Sequence, residues 1–169
     1  MQLISEIYEI CRLAYGMEPE EIAYFFETLP YPHDSYLTNI TAKILRHKEE
    51  GNYTLFDILD VAGHKGTGLW TSHEALNLGV PVPAINAAMN QRIISSYKAI
   101  RNELDTINSN SANSSCNTND LQKLFLACRL HAHAEGFHLI FKASAEYGWN
   151  INMEEIANIW RAGCIIKSE

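Results

Sequence analysis

"LQKLFLACRLHAHAEGFHLIFKASAEY", Leu121 to Tyr147, reads as one long helix with its stop at Gly148. The segments on either side share its period. Leu3, Ile4, Ile7, Tyr8, Cys11 and Ala14 recur at three- and four-residue steps, and Gly16 closes that run. Pro19 suits a first helical position, with Glu20 and Glu21 behind it at the positive helix end and Ile22, Phe25 and Phe26 as the buried face. Asp34 or Ser35 can cap a helix striped by Leu37, Ile40, Thr41, Ile44 and Leu45. Arg46, His47 and Lys48 fall in its last turn, and Gly51 and Asn52 end it.

Thr71 to Glu74 reads T-S-H-E, the pattern of a capping box at the start of a short helix that Gly79 ends and Pro81 keeps from continuing. Pro83 opens another, with Ile85, Ala88, Met89, Arg92, Ile93 and Ser96 on one face. Residues 105–120, "DTINSNSANSSCNTND", have almost no apolar content and read as a flexible polar surface loop. Asn152 can cap a last helix with Ile156, Ile159 and Trp160 on its apolar side, closed or bent at Gly163. Strand-like alternation is nearly absent. The expected fold is therefore all-α, a single multi-helix domain over residues 1–169.

Composition bounds the partners. At 47% hydrophobic residues the chain can fold, and a formal net charge of −7 without a long basic run argues against broad nucleic-acid binding. A local basic pocket for a small anion stays open. Four cysteines, Cys11, Cys116, Cys128 and Cys164, form neither a C-x-x-C pair nor a zinc spacing and read as reduced thiols, with Cys128 and Cys164 buried and Cys116 exposed. There is no signal-peptide pattern and no apolar run of membrane-spanning length, so no membrane association and a cytoplasmic location are expected.

"GHKGTG", Gly63 to Gly68, sets one lysine and one threonine among three glycines with no carboxylate. It matches neither standard phosphate-loop pattern, because the lysine precedes the second glycine and no strand–helix unit surrounds it. Taken alone, Lys65 is a solvated loop lysine. The functional alternative has Lys65, the Thr67 hydroxyl and nearby backbone N–H groups facing an anion, helped by a helix start at Thr71. Arg92 stands on an otherwise apolar face, where it must snorkel, pair with an acid or line a site. If it converges with Lys65, the two cations would neutralise a phosphate dianion. His131, His133, His138 and Glu135 cluster without an H-E-x-x-H motif, so no metal site is expected. Ser95 and Ser96 read as helix-packing residues, and Trp70, Trp149 and Trp160 as core anchors.

"DVAGHKGTGLWTSHEALNLGVPV" (60–82) and "IWRAGCIIKS" (159–168) resemble the 6-phosphogluconate dehydrogenases, in their C-terminal helical domain. "MQLISEIYEI", "LTNITAKIL" and "EGFHLIFKASAEYGWNIN" fit the same family in the same order, so the resemblance covers nearly the whole chain outside the 105–120 loop. It implies part of an enzyme that oxidatively decarboxylates 6-phosphogluconate to ribulose 5-phosphate with NADP reduction, in the pentose phosphate pathway. By the resemblance, Lys65 and Thr67 match the family's K-G-T-G contacts to the substrate phosphate, and Arg92 in "QRIISS" matches its phosphate-binding arginine.

The resemblance also implies a homodimer built by this domain. The family's Rossmann domain, its lysine base and glutamate acid, and its C-terminal tail have no counterpart in these 169 residues. The expectation is a domain that binds no NADP itself, carries no catalytic residue, holds 6-phosphogluconate weakly and is inactive in isolation. His64, Leu69, Ala162 and Lys167 depart from the family's common residues, the first two changing polarity beside the phosphate positions. The competing expectation is a non-catalytic helical interaction module derived from the same domain.

Overall fold

The computed structural model describes residues 1–30, 35–63, 65–105 and 117–167. The helices are α1 (Gln2–Glu9), α2 (Pro19–Glu27), α3 (Tyr36–Arg46), α4 (Thr67–Asn77), α5 (Pro83–Ser95), α6 (Lys98–Asp105), α7 (Thr118–Glu146) and α8 (Met153–Trp160). The only strands among the described residues are β1 (Lys48–Glu49) and β2 (Asn52–Tyr53), an antiparallel pair. The fold is all-α, as its helical period requires. Two compact units divide the chain. One comprises residues 1–59, 110–127 and 154–169, the other 60–109 and 128–153.

The first unit is built around apolar burial. Ile22, Phe25 and Phe26 of α2 are at most 1% exposed and pack with Cys11, Ala42, Leu45, Leu121 and Phe125. The rings of Phe25 and Phe26 meet edge to face at 5.3 Å, and those of Phe26 and Phe125 at 5.9 Å, the geometry that aromatic quadrupoles favour. Pro19 occupies the first helical position of α2, and the Glu21 carboxylate accepts from the Glu18 N–H at 2.8 Å. Ser35 caps α3: its Oγ accepts from the Thr38 N–H at 3.2 Å while Thr38 Oγ1 accepts from the Ser35 N–H at 2.9 Å. Arg46, at the end of α3, bonds Glu20 and Glu27 of α2.

The buried stripe of α3 is Thr38, Ala42 and Leu45; Ile40 and Ile44, expected inside, are exposed. This helix is apolar on two sides, and α2 covers only one. It ends at Arg46, with extended backbone at His47, and Lys48 pairs with Tyr53 rather than continuing the last turn. Glu50 and Gly51, both at positive φ, turn the chain between the two strands. After α1 the helix widens to a π-turn over Ile10–Ala14, which carries the fully buried Cys11.

The second unit has a smaller core of Ala75, Val80, Val82 and Leu139, with Leu78 and Ile85 against it. No residue of α5 is fully buried. Trp70 and Trp149, expected as core anchors, are 68% and 57% exposed; the ring of Trp149 lies 5.0 Å from that of Tyr147. Cys128 and Cys164 are half-buried rather than buried, and Cys116 lies outside the described residues. Of the stretch 105–120, expected as a loop, Asp105 belongs to α6 and α7 begins at Thr118; residues 106–116 lie outside the described set. Gly148, at φ +67°, follows α7, and the Trp149 N–H closes the turn on Ser144 O at 3.0 Å. Among the described residues no helix is long and apolar enough to cross a membrane.

Candidate functional site

The described residues of the stretch 60–66 lie outside regular structure, yet Asp60, Ala62 and Gly63 are tied to α5 and α6. The Asp60 carboxylate receives Lys98 Nζ at 2.7 Å and Arg101 Nη1 at 2.8 Å. Hydrogen bonds from Lys98 and Arg101 hold this carboxyl well below the usual carboxylate range. Arg101 Nη2 also donates to Asp60 O at 3.0 Å and to Ser95 O at 2.9 Å. The Ala62 N–H donates to Ser95 Oγ at 3.0 Å, and Ser95 Oγ donates to Arg92 O at 2.7 Å. Arg92 Nη1 donates to Gly63 O at 3.3 Å.

Gly66 then turns the chain into α4. Its φ of +91° is a left-handed conformation that side chains resist, whereas an added Cβ would meet only the Trp70 indole at an ordinary 3.7 Å. Glycine is required here by backbone conformation rather than by space. The first i→i−4 bond of α4 runs from the Trp70 N–H to Gly66 O at 3.0 Å. The N–H groups of Thr67, Gly68 and Leu69 therefore have no acceptor inside the helix and face its positive end.

Helix α4 thus starts four residues before the T-S-H-E stretch, and Thr71 is no cap: its Oγ1 donates back to Thr67 O at 2.8 Å. Glu74, the expected reciprocal member, accepts instead from the Tyr147 hydroxyl. This hydrogen bond to Glu74 raises the Tyr147 pKa. The N-terminus of α4 therefore falls on the Lys65–Thr67 stretch itself. Lys65 and Thr67 are exposed, and Lys65 has no ion-pair or hydrogen-bond partner among the described residues. Arg92 is half-buried, and its bond to Gly63 O brings α5 to the loop that carries Lys65. One lysine, one arginine, one hydroxyl and the open N–H groups of a helix end are groups suited to an anion with several oxygens.

Several contributors were invisible in the sequence. Glu135 is 5% exposed, and its two carboxylate oxygens accept from the Ala84 and Ile85 N–H groups at 2.9 and 3.1 Å. It caps the N-terminus of α5 from about fifty residues away in sequence and so fixes the helix that carries Arg92. His131 Nε2 lies 3.1 Å from Glu135 Oε1, and His133 Nδ1 lies 2.9 Å from Arg129 O. Among the described residues no group of three or more His, Cys, Asp or Glu side chains is arranged to hold a metal ion. Ser95, expected as a packing residue, is a polar bridge to the loop.

Comparison with known proteins gives the arrangement its context. The family model described as "6-phosphogluconate dehydrogenase, C-terminal domain" matches residues 1–169. The decarboxylating 6-phosphogluconate dehydrogenase of Lactococcus lactis subsp. lactis is 41% identical over all of this chain, and that of Schizosaccharomyces pombe is 40% identical over 99% of it. The chain spans 38% and 36% of the lengths of these two relatives. A solved structure of Plasmodium falciparum 6-phosphogluconate dehydrogenase superposes with a TM-score of 0.91 at 37% identity, covering 99% of this chain and 38% of that one. That protein is described in its apo form, with its cofactor NADP+ and with its substrate 6-phosphogluconate. With a family model matched from end to end, the chain belongs to the 6-phosphogluconate dehydrogenase C-terminal domain family.

Proposed function

We propose that this domain holds the phosphate of 6-phosphogluconate for a decarboxylating, NADP-dependent 6-phosphogluconate dehydrogenase. Lys65 supplies a point charge, Arg92 a planar two-pronged donor, and Thr67 a hydroxyl beside the open N–H groups of α4. None of these groups abstracts a proton or transfers hydride. Their work is to fix one end of the substrate so that the reacting carbons sit where the enzyme's base and dinucleotide meet them. NADP supplies the hydride acceptor when bound, and we assign none of the described residues to it.

The observation that carries this reading is the Arg92–Gly63 bond, which ties a cation on α5 to the loop bearing Lys65, next to the first turn of α4. The relatives' shared activity supports the choice of anion. A ligand that binds only the folded state raises stability, by about 2.7 kcal/mol at a hundred times its Kd. 6-Phosphogluconate is expected to raise the melting temperature of the protein, and Lys65→Ala and Arg92→Ala are each expected to abolish that rise. A rise that survives both substitutions would refute the assignment.

The same domain is proposed to build a homodimer in the cytoplasm. Leu69, Trp70 and Leu76 are each more than half exposed in the protomer, an apolar surface of the kind that subunit contacts cover. Light scattering that finds only monomer at micromolar concentration would count against it.

A further inference from the structure

Among the described residues of the segment 60–72, bonds and close approaches to α5 and α6 include those to Asn86, Met89, Arg92, Ser95, Lys98 and Arg101, spaced three residues apart. Their partners run the opposite way. Arg101 and Lys98 take Asp60, Ser95 takes Ala62, and Arg92 takes Gly63. Met89 faces Gly68, where an added Cβ would lie 3.6 Å from Met89 Cγ, and Asn86 Oδ1 accepts from Ser72 Oγ at 2.6 Å. This is a zipper along the i±3 ridge of α5, continued into α6. Its apolar and helical rungs lie at one end. At the other, side chains of α5 and α6 bond Asp60, Ala62 and Gly63.

We propose that Arg101 and Ser95 are positioning residues for the phosphate site. They act through the backbone of residues 60–63 to set Lys65 and the start of α4 against Arg92. Arg101 bridges Asp60 O, the Asp60 carboxylate and Ser95 O at once, and so joins the foot of the loop to the end of α5. Ser95 Oγ, bonded to both the Ala62 N–H and Arg92 O, fixes the next step of the loop to the residue that carries the phosphate-binding guanidinium. Neither side chain need touch the ligand. The inference rests on the phosphate-binding reading and adds to it the device that keeps the two cations in register.

The test measures Kd in the full-length protein for 6-phosphogluconate and for gluconate, which lacks the phosphate. Arg101→Ala and Ser95→Ala are expected to weaken 6-phosphogluconate about tenfold, one decade of affinity. Gluconate binding stays unchanged, and Ser95→Thr, which keeps the hydroxyl, restores the parent value. On a Lys65→Ala background neither substitution adds a further loss. Parent-like affinity in both variants, or a full additional loss on that background, overturns the proposal while leaving the phosphate reading intact. A parent protein whose 6-phosphogluconate affinity ignores Lys65→Ala overturns both. Should Arg101→Ala fail to fold by circular dichroism, the smaller Ser95→Ala change decides the question.

Discussion

The core of the first unit contains Ile22, Phe25, Phe26 and Phe125, each at most 3% exposed, whereas that of the second contains Ala75, Val80, Val82 and Leu139. Full burial of a large apolar side chain contributes about 1.5–3 kcal/mol, against about 0.5–1.5 kcal/mol net for a typical hydrogen bond. The first unit thus buries the larger side chains, and in the second directional polar bonds fix α5, α6 and the loop: Glu135 on the α5 N-terminus, Ser72 on Asn86, and Arg92, Ser95, Lys98 and Arg101 on the loop. Area stabilises without specifying where an exposed atom must stand. Hydrogen bonds add less stability but fix position, which is what a site for a small charged group needs.

The sharpest way to break this contrast is to empty the first core. Phe26 is fully buried between Phe25 and Phe125, so Phe26→Ala is expected to cost about 3–5 kcal/mol, the range for aromatic truncation in a core. Chemical denaturation reads the loss as a shifted midpoint at constant slope. A cost below about 1 kcal/mol would mean that this region collapses around the cavity and that the two units differ less than their cores indicate.

The corresponding change in the second unit removes a cap rather than volume. Glu135→Ala strips both acceptors from the Ala84 and Ile85 N–H groups and is expected to cost about 1–3 kcal/mol. Glu135→Gln keeps one neutral acceptor and falls between that variant and the parent. Thermal unfolding of the three proteins ranks them. If alanine and glutamine are equivalent, the helix end is satisfied by solvent and Glu135 is not what fixes α5.

The same contrast explains what could be read in advance. Local rules held wherever a residue acts on its own neighbourhood: Pro19 and Pro83 open helices, Ser35 caps one, and Gly148 follows another in the left-handed conformation. Periodicity also identified Phe25 and Phe26 as core, because aromatic residues at helical spacing have few other uses in water. It failed where the apolar pattern exceeds what a neighbour covers, as at Ile40, Ile44 and Trp70. The T-S-H-E pattern misled because Gly66 starts α4 by backbone conformation, leaving Thr71 inside the helix. The two-residue strands carry no alternation to detect. Lys65, Thr67 and Arg92 were legible as candidates because a cation among glycines, or on an apolar face, demands an explanation. Glu135, Ser95 and Arg101 were not, since each is an ordinary residue until a distant backbone group arrives beside it.

The smallest expected effect isolates the charge in the polar zipper. With its folded pKa lowered by Lys98 and Arg101, Asp60 binds its proton more weakly in the folded state than in the unfolded chain, where an aspartate titrates near about 3.9. Its contribution is therefore fully present above about pH 5 and lost as the pH falls through the folded value. Asp60 is exposed and screened by solvent, so the difference from Asp60→Asn is small, and its dependence on pH is more informative than its size. Melting temperatures of parent and Asp60→Asn should differ most above about pH 5 and converge in stronger acid. Added salt should narrow the gap at neutral pH, because the Debye length shrinks to about 3 Å at 1 M ionic strength. A gap that stays constant from neutral to acid would mean that the substitution acts through steric fit and neutral hydrogen bonding rather than charge, with the bond from Arg101 to Asp60 O, which the asparagine variant retains, common to both proteins. The loop would then be held by geometry alone, and the polar zipper would carry no charge-dependent stability at Asp60.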